Sequence, residues 1–194
     1  MTALEVTPAP HGTVRIETPR LLLASWREEQ VQDFLAIASD PEVMRYIGSG
    51  RPWGEEQARA FVERQIAAEA AHGFCLWGLI ERAAGRLIGQ CGLQRAGDTG
   101  ETEIGWWLAR DRWGQGLATE AARAVVAFAF EELRLPRLIS IAQPANTGSI
   151  DVMRRLGMRF ERSARHGDLG LKNPEIEISI YALESGSGRS RDVL

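Results

Sequence analysis

Cysteine, histidine and long apolar runs are all scarce in this chain of 194 residues, and each shortage removes a class of function. The two cysteines, Cys75 and Cys91, stand in separate apolar segments with no Cys-x-x-Cys pair and no histidine at ligand spacing. Neither a disulfide framework nor a metal site is therefore expected, and both read as reduced core thiols. No segment approaches the roughly 20 apolar residues of a membrane span. The first residues carry no charged stretch leading into an apolar one, so the chain is read as cytoplasmic, with no membrane partner. A formal net charge of -3 gives no basic footprint for nucleic acid. There is no fixed-period repeat and no low-complexity tract.

What remains is the composition of a globular protein, 44% hydrophobic and 25% charged, of a length that suits one domain with a substantial core. Residues 1–13 and 185–194 are rich in Gly, Ser, Pro and charge and are expected to be flexible tails around a domain at 14–184. Within it, strands are expected at 20–26, 74–80, 87–93, 102–108, 138–141 and 175–183, the second and third joined through Gly85 as an antiparallel hairpin. Helical patterns occupy 30–47, broken at Asp40-Pro41, and then 55–71, 117–133 and 149–156. The alternation predicts one mixed α/β domain.

The segment from Thr102 to Leu133 is the most informative. A strand (TEIGWWL) runs into Arg110-Asp-Arg-Trp-Gly-Gln-Gly116, and an amphipathic helix follows. A helix that begins just after glycines leaves backbone N–H groups unpaired at the positive end of its dipole, which attracts phosphate. Gly114 and Gly116 permit a tight turn and let phosphate oxygens approach without meeting a Cβ. A nucleoside-triphosphate loop needs Lys-Ser/Thr after the last glycine, where Leu117-Ala118 stands. A dinucleotide fingerprint needs a small residue at Thr119 and an acid closing the next strand, which reads Ile141-Ala-Gln143. Neither of those nucleotide readings survives.

Glu103-Ile-Gly-Trp-Trp-Leu-Ala109, followed by Trp113-Gly-Gln-Gly-Leu-Ala-Thr-Glu-Ala121, resembles the acetyl-CoA-binding motif of the GNAT N-acetyltransferase family, in particular its RimJ/RimL-like branch, which acetylates ribosomal-protein N-termini. Gly116 and Ala118 fill the last two defined positions of the family pattern Gln/Arg-x-x-Gly-x-Gly/Ala. Trp113 stands at the first, a departure from the general pattern that is familiar in that branch. Asn146-Thr-Gly-Ser149, leading to Leu156-Gly-Met-Arg-Phe160, looks like the family's Asn-x-x-Ser helix, and Thr18-Pro-Arg-Leu and Asp40-Pro-Glu-Val-Met-Arg-Tyr46 match the same branch. The resemblance spans residues 14–183. It implies a mixed central sheet of about six to seven strands, splayed at the cofactor site and flanked by helices.

For the site, the resemblance implies that the 102–108 strand parts from its neighbour at a bulge. Trp107, Leu108 and Ala109 then meet the pantetheine arm through main-chain groups, one N–H polarising the thioester. Trp113, Gly114, Gln115, Gly116, Leu117 and Ala118 surround the diphosphate, and Asn146 meets the cofactor arm or caps its own helix; by their charge Arg112 and Arg110 add to the diphosphate site or are simply solvated. Trp106 and Trp107 must face opposite sides of a strand; one packs in the core, and the other lines the site or packs as well. Glu103 is the general-base candidate, against a purely structural role. Where many family members carry a tyrosine to protonate the departing thiolate, this chain has Met153, which leaves Ser149 or water. His72, His166 and His11 read as surface residues. The expected reaction is acetyl transfer from acetyl-CoA, without a metal, to a primary amine. An α-amine of a peptide N-terminus is favoured, because a lysine must give up roughly 4 kcal/mol to be neutral near pH 7.4 and an α-amine under about 1. Small-molecule amines or antibiotics are the alternative acceptors, and a silent acyl-CoA-binding module the alternative function. An exposed edge strand would allow a homodimer.

Overall fold

Short β-rich runs and amphipathic segments alternate along the chain, and the computed structural model, which describes residues 12–186, arranges them as one sheet with helices on both faces. The strands are β1 Val14–Glu17, β2 Leu21–Ala24, β3 Leu76–Glu81, β4 Arg86–Arg95, β5 Thr102–Leu108, β6 Arg137–Ala142, β7 Arg159–Arg165 and β8 Glu177–Glu184. They form an eight-stranded sheet in the order β1-β2-β3-β4-β5-β6-β8-β7. All neighbours are antiparallel except β5 and β6, whose parallel pairing is confined to Glu103 opposite Ile139. The sheet is slightly larger than expected because it gains β1 and β7 at its edges. β7 escapes a hydrophobic pattern because six of its seven residues are exposed, Phe160 at 55% among them. The tails expected before 14 and after 184 lie almost wholly outside the described residues.

The helices are α1 Val31–Ala38, α2 Pro41–Met44, α3 Glu55–His72, α4 Leu117–Glu131 and α5 Thr147–Arg155. The break at Asp40-Pro41 has a local cause. Asp40 caps α2 by accepting a bond from the Glu42 N–H at 2.8 Å, and Pro41 occupies the first helical position, where no N–H is needed. Alternate residues of a strand face opposite sides, and the aromatic contacts sort the helices accordingly. Trp107 meets Phe34 of α1 and Phe61 of α3, whereas Trp77 meets Phe128 of α4. Trp77 lies opposite Cys91, and Cys91 opposite Trp106, so α4 covers the face that Trp106 occupies. Cys75 and Cys91 are buried and unpaired, and burial pushes both thiols far above their ordinary range.

On the Trp107 face, Trp26, Phe34, Trp53, Phe61 and Trp107 form one aromatic cluster. Phe34 lies at its centre, stacked on Phe61 at 4.6 Å and edge-on to Trp26 at 5.0 Å. Its side chain is fully buried, and the rings around it cannot collapse into the space it fills. Phe34→Ala is expected to lower the unfolding free energy by about 3–5 kcal/mol. Urea denaturation followed by tryptophan fluorescence will measure this, and Phe34→Leu should recover a large part of the loss.

Candidate active site

Because β5 and β6 pair at a single position, the C-terminal half of β5 has an open side. The direction of its backbone groups follows from the ladder with β4. Ala109 donates its N–H to the Ile88 carbonyl at 2.8 Å, and in an antiparallel ladder every second residue bonds the same neighbour. Trp107 and Gly105 therefore also bond toward β4, while Leu108, Trp106 and Ile104 present their N–H and C=O groups to the gap. Two contacts agree with this parity. The Ile104 carbonyl accepts the Ser140 hydroxyl at 2.9 Å, and the Leu108 carbonyl accepts the Trp113 indole N–H at 2.9 Å. The N–H groups turned to the gap are thus those of Leu108 and Trp106, not of Ala109. The expected bulge is absent from β5, whose register with β4 runs unbroken from Thr102 to Leu108; register shifts fall instead in the β1–β2, β3–β4 and β7–β8 pairs.

The strand runs on to the glycine turn. Gly114 and Gly116 have φ of 73° and 75°, the left-handed region that glycine enters without strain, and Gly116 is the N-cap of α4. The first intrahelical bond there is from the Glu120 N–H to the Gly116 carbonyl, so the N–H groups of Leu117, Ala118 and Thr119 have no helical acceptor. All three residues line a cleft of about 490 Å³ together with Gly114 and Gly116. This volume suits a bound small molecule. The opposite walls come from Tyr46 and its neighbours after α2 and from the start of α5.

Of the residues singled out from the sequence, Trp107, Leu108, Arg112, Trp113, Gly114, Gly116, Leu117, Ala118, Asn146 and Ser149 line this cleft. Both Trp106 and Trp107 reach it while also packing on the core. Ala109 and Gln115 do not line it: the Ala109 N–H is taken by Ile88, and the Gln115 side chain bonds the Asp111 carbonyl at 2.9 Å. Arg112 is held by Glu81 at 3.1 Å and Asp111 at 2.8 Å, so its charge is largely matched within the chain. Asn146 accepts the Ser149 N–H at 3.2 Å and so caps α5 while facing the cleft. Met153 is buried in the core and does not line the cleft. His72 ends α3 and His166 bonds the Lys172 carbonyl, both away from the cleft, and His11 lies outside the described residues.

Glu103 is 9% exposed and does not itself line the cleft; it lies on β5 on the same face as Gly105 and Trp107, of which Trp107 does. Gln94, opposite it on β4, donates Nε2–H to Glu103 Oε2 at 2.9 Å. Burial pushes the Glu103 carboxyl up from 4.5 to about 7, and the Gln94 bond opposes that rise. Both protonation states are therefore accessible near neutrality, as a proton acceptor requires. Tyr46, Thr119, Thr147, Asp151 and Arg155 also line the cleft and were not singled out from the sequence. Tyr46 falls within a segment whose resemblance was visible, but nothing in that pattern tells which of its side chains turn inward. Among the described residues no group of His, Cys, Asp and Glu stands close enough to hold a metal, and no helix is long and apolar enough to cross a membrane.

The family described as Acetyltransferase (GNAT) domain matches residues 20–159. The chain is 34% identical over 148 residues to the uncharacterized N-acetyltransferase YnaD of Bacillus subtilis, covering 76% of this chain and 84% of that protein. It is 32% identical over 152 residues to the FsC-acetyl coenzyme A-N(2)-transacetylase of Aspergillus fumigatus, covering 74% and 64% respectively. Among solved structures, a GNAT-family acetyltransferase from Bacillus anthracis superposes with a TM-score of 0.72 at 28% identity, over 89% of this chain and 98% of that one.

The buried carboxyl makes a stability prediction independent of any ligand. Its pKa is higher in the folded chain than in the unfolded one, so folding favours the protonated form. Below pH 4.5 both states hold the proton and nothing is lost; between 4.5 and about 7 the folded state is increasingly penalised; above 7 the penalty is complete, at about 3 kcal/mol. Glu103→Gln removes the ionisable group and is expected to melt above the wild type at pH 8 and level with it near pH 4.5. Thermal unfolding across that range will decide, and an equal difference at every pH would contradict the raised pKa.

Proposed function

The chain belongs to the GNAT acetyltransferase family, and we propose that its cleft joins acetyl-CoA to the α-amine of a peptide or protein N-terminus, with Glu103 taking the amine's proton. As an acetyltransferase it moves an acetyl group from acetyl-CoA to an amine. The finer reading rests above all on one observation, a carboxyl, Glu103, buried on the strand that borders the gap with Gln94 as its neutral partner, where burial pushes it up to about 7.

The residues divide the work by chemistry. The orphan N–H groups of Leu117, Ala118 and Thr119 and the turn at Gly114 and Gly116 suit the diphosphate. The N–H groups of Trp106 and Leu108 suit an extended amide-bearing arm laid along β5 as an added strand, with Leu108 directed at the thioester oxygen, where negative charge grows as the amine attacks. In that step the N–C bond forms, the C–S bond breaks, the amine's proton passes to Glu103 through water, and sulfur leaves as a thiolate. Ser149, which lines the cleft, is the candidate hydroxyl partner for the sulfur. With a thiol pKa of roughly 8.5, the thiolate can also be protonated by water, which makes the absence of a tyrosine at Met153 tolerable.

The acceptor class follows from matching the base to the acid. Transfer from an α-ammonium of pKa about 7.7–8.0 to a carboxylate near 7 is uphill by about 1 kcal/mol, whereas transfer from a lysine ammonium of about 10.4 is uphill by roughly 4.6 kcal/mol. The RimJ/RimL-like motifs favour the same class. A small-molecule amine is the second reading, favoured by similarity to the relative named FsC-acetyl coenzyme A-N(2)-transacetylase.

Two measurements test these assignments. In one mass-spectrometric competition, a peptide with a free α-amine should be acetylated faster than an N-blocked peptide carrying lysine; preference for the lysine peptide would remove the α-amine reading. Glu103→Gln should lower kcat/KM by about 10²- to 10⁴-fold near pH 7 while acetyl-CoA affinity holds, and the deficit should shrink as pH passes about 8, where the acceptor arrives already neutral. A mutant profile parallel to the wild type from pH 6.5 to 9.5 would exclude Glu103 as the base.

A further inference from the structure

Thr18-Pro-Arg20-Leu, just before β2, is a motif that the chemistry above leaves unused. The fold brings it against the glycine turn almost a hundred residues away. Arg20 Nη1 donates to the Gln115 carbonyl at 2.9 Å, and its Nε donates to Glu120 Oε2 at 2.6 Å. Glu120, in the first turn of α4, also accepts the Thr18 hydroxyl at 2.6 Å and the Arg20 backbone N–H at 3.0 Å. Burial would raise the Glu120 carboxyl, but these bonds hold it below its ordinary range, so it stays ionised and keeps the guanidinium in place. Gln115 is restrained from its other end as well, its side chain bonding the Asp111 carbonyl at 2.9 Å.

The consequence lies in the planarity of the peptide. In a trans peptide the carbonyl of one residue and the N–H of the next point in opposite directions. An arginine that fixes the Gln115 carbonyl therefore also fixes the Gly116 N–H, aimed away from Arg20. Gly116 has no side chain and a φ of 75°, so its own conformational preference would not hold that plane still. Gly116 lines the cleft; Gln115 does not.

We propose that Arg20, anchored by Glu120 and Thr18, is a positioning residue that presets the Gln115–Gly116 peptide so that its N–H faces the diphosphate of the donor. It works through the backbone, by removing the disorder that binding would otherwise have to freeze out. This rests on the reading of the turn as the diphosphate site, and the test separates the two. Steady-state kinetics are compared with acetyl-CoA and with S-acetylpantetheine, which carries the thioester and lacks the diphosphate. If the wild type does not prefer acetyl-CoA, the diphosphate reading itself fails, and the proposal with it. If it does, Arg20→Met should raise KM for acetyl-CoA about tenfold, the order expected for one lost charge-assisted hydrogen bond. Its kcat at saturation should stay within about twofold of wild type, and its kcat/KM with S-acetylpantetheine should not change. Activity with that donor also shows that the variant is folded. Arg20→Lys keeps the charge but cannot fork between Glu120 and the Gln115 carbonyl, so it should lose most of the same affinity. Wild-type behaviour of Arg20→Lys, equal losses of Arg20→Met with both donors, or no loss with either would overturn the proposal.

Discussion

The structure depends on one interruption: two parallel strands in the middle of the sheet that meet at Glu103 and Ile139 and then part. Inside a protein an unpaired backbone N–H or C=O is costly, so a gap of this kind persists only where its groups are given other partners. Part of that need is met within the chain. The Trp113 indole takes the Leu108 carbonyl, and the Ser140 hydroxyl takes that of Ile104. Trp113 is 48% exposed, an unusual position for a large aromatic, and its hydrogen bond to β5 accounts for its placement at the mouth of the cleft. What stays open along the gap are the N–H groups of Trp106 and Leu108 and the Trp106 carbonyl, the groups that a thioester oxygen and an amide-bearing arm can use.

On the proposed function, the same logic governs the diphosphate end. Two arginines beside the glycine turn are engaged with carboxylates: Arg112 with Glu81 and Asp111, Arg20 with Glu120. The turn relies instead on backbone N–H groups at a helix start, whose partial charge is fixed in direction and needs no side-chain entropy to deploy. Backbone donors of this kind would let a protein with a net charge of -3 hold a diphosphate without a strongly basic composition.

How much of this was legible in the sequence follows from what each feature depends on. Glycine, proline and cap residues act locally, so the turn at 114–116, the break at Asp40-Pro41 and the hairpin through Gly85 could be placed from residue types alone. β7 could not, because Arg159–Arg165 alternates no hydrophobic face and is held at the edge by pairing with β8. The direction of a backbone N–H is also invisible in a sequence: it depends on strand parity, and parity gives the gap to Trp106 and Leu108 while Ala109 bonds β4. Gln115 illustrates a subtler limit. It sits inside the motif and points away from the cleft, yet its carbonyl links the turn to Arg20, a contact across 95 residues that no local pattern encodes.

Glu103 joins the energetics of the fold to the chemistry. Its carboxyl is raised by desolvation, the same cause that makes it destabilising when ionised, and the Gln94 bond moderates both effects at once. A second bond donor, or a cation within reach, would relieve the strain on the fold and pull the pKa back toward 4.5, where the group would be a poor base for any amine. A fully apolar neighbour in place of Gln94 would do the reverse and push the carboxyl further up. The Gln94 amide thus opposes the rise that burial imposes without cancelling it. If Glu103 is the base, as proposed, the stability lost on ionising a buried carboxyl is a condition of its reactivity, and the rest of the core must offset that loss.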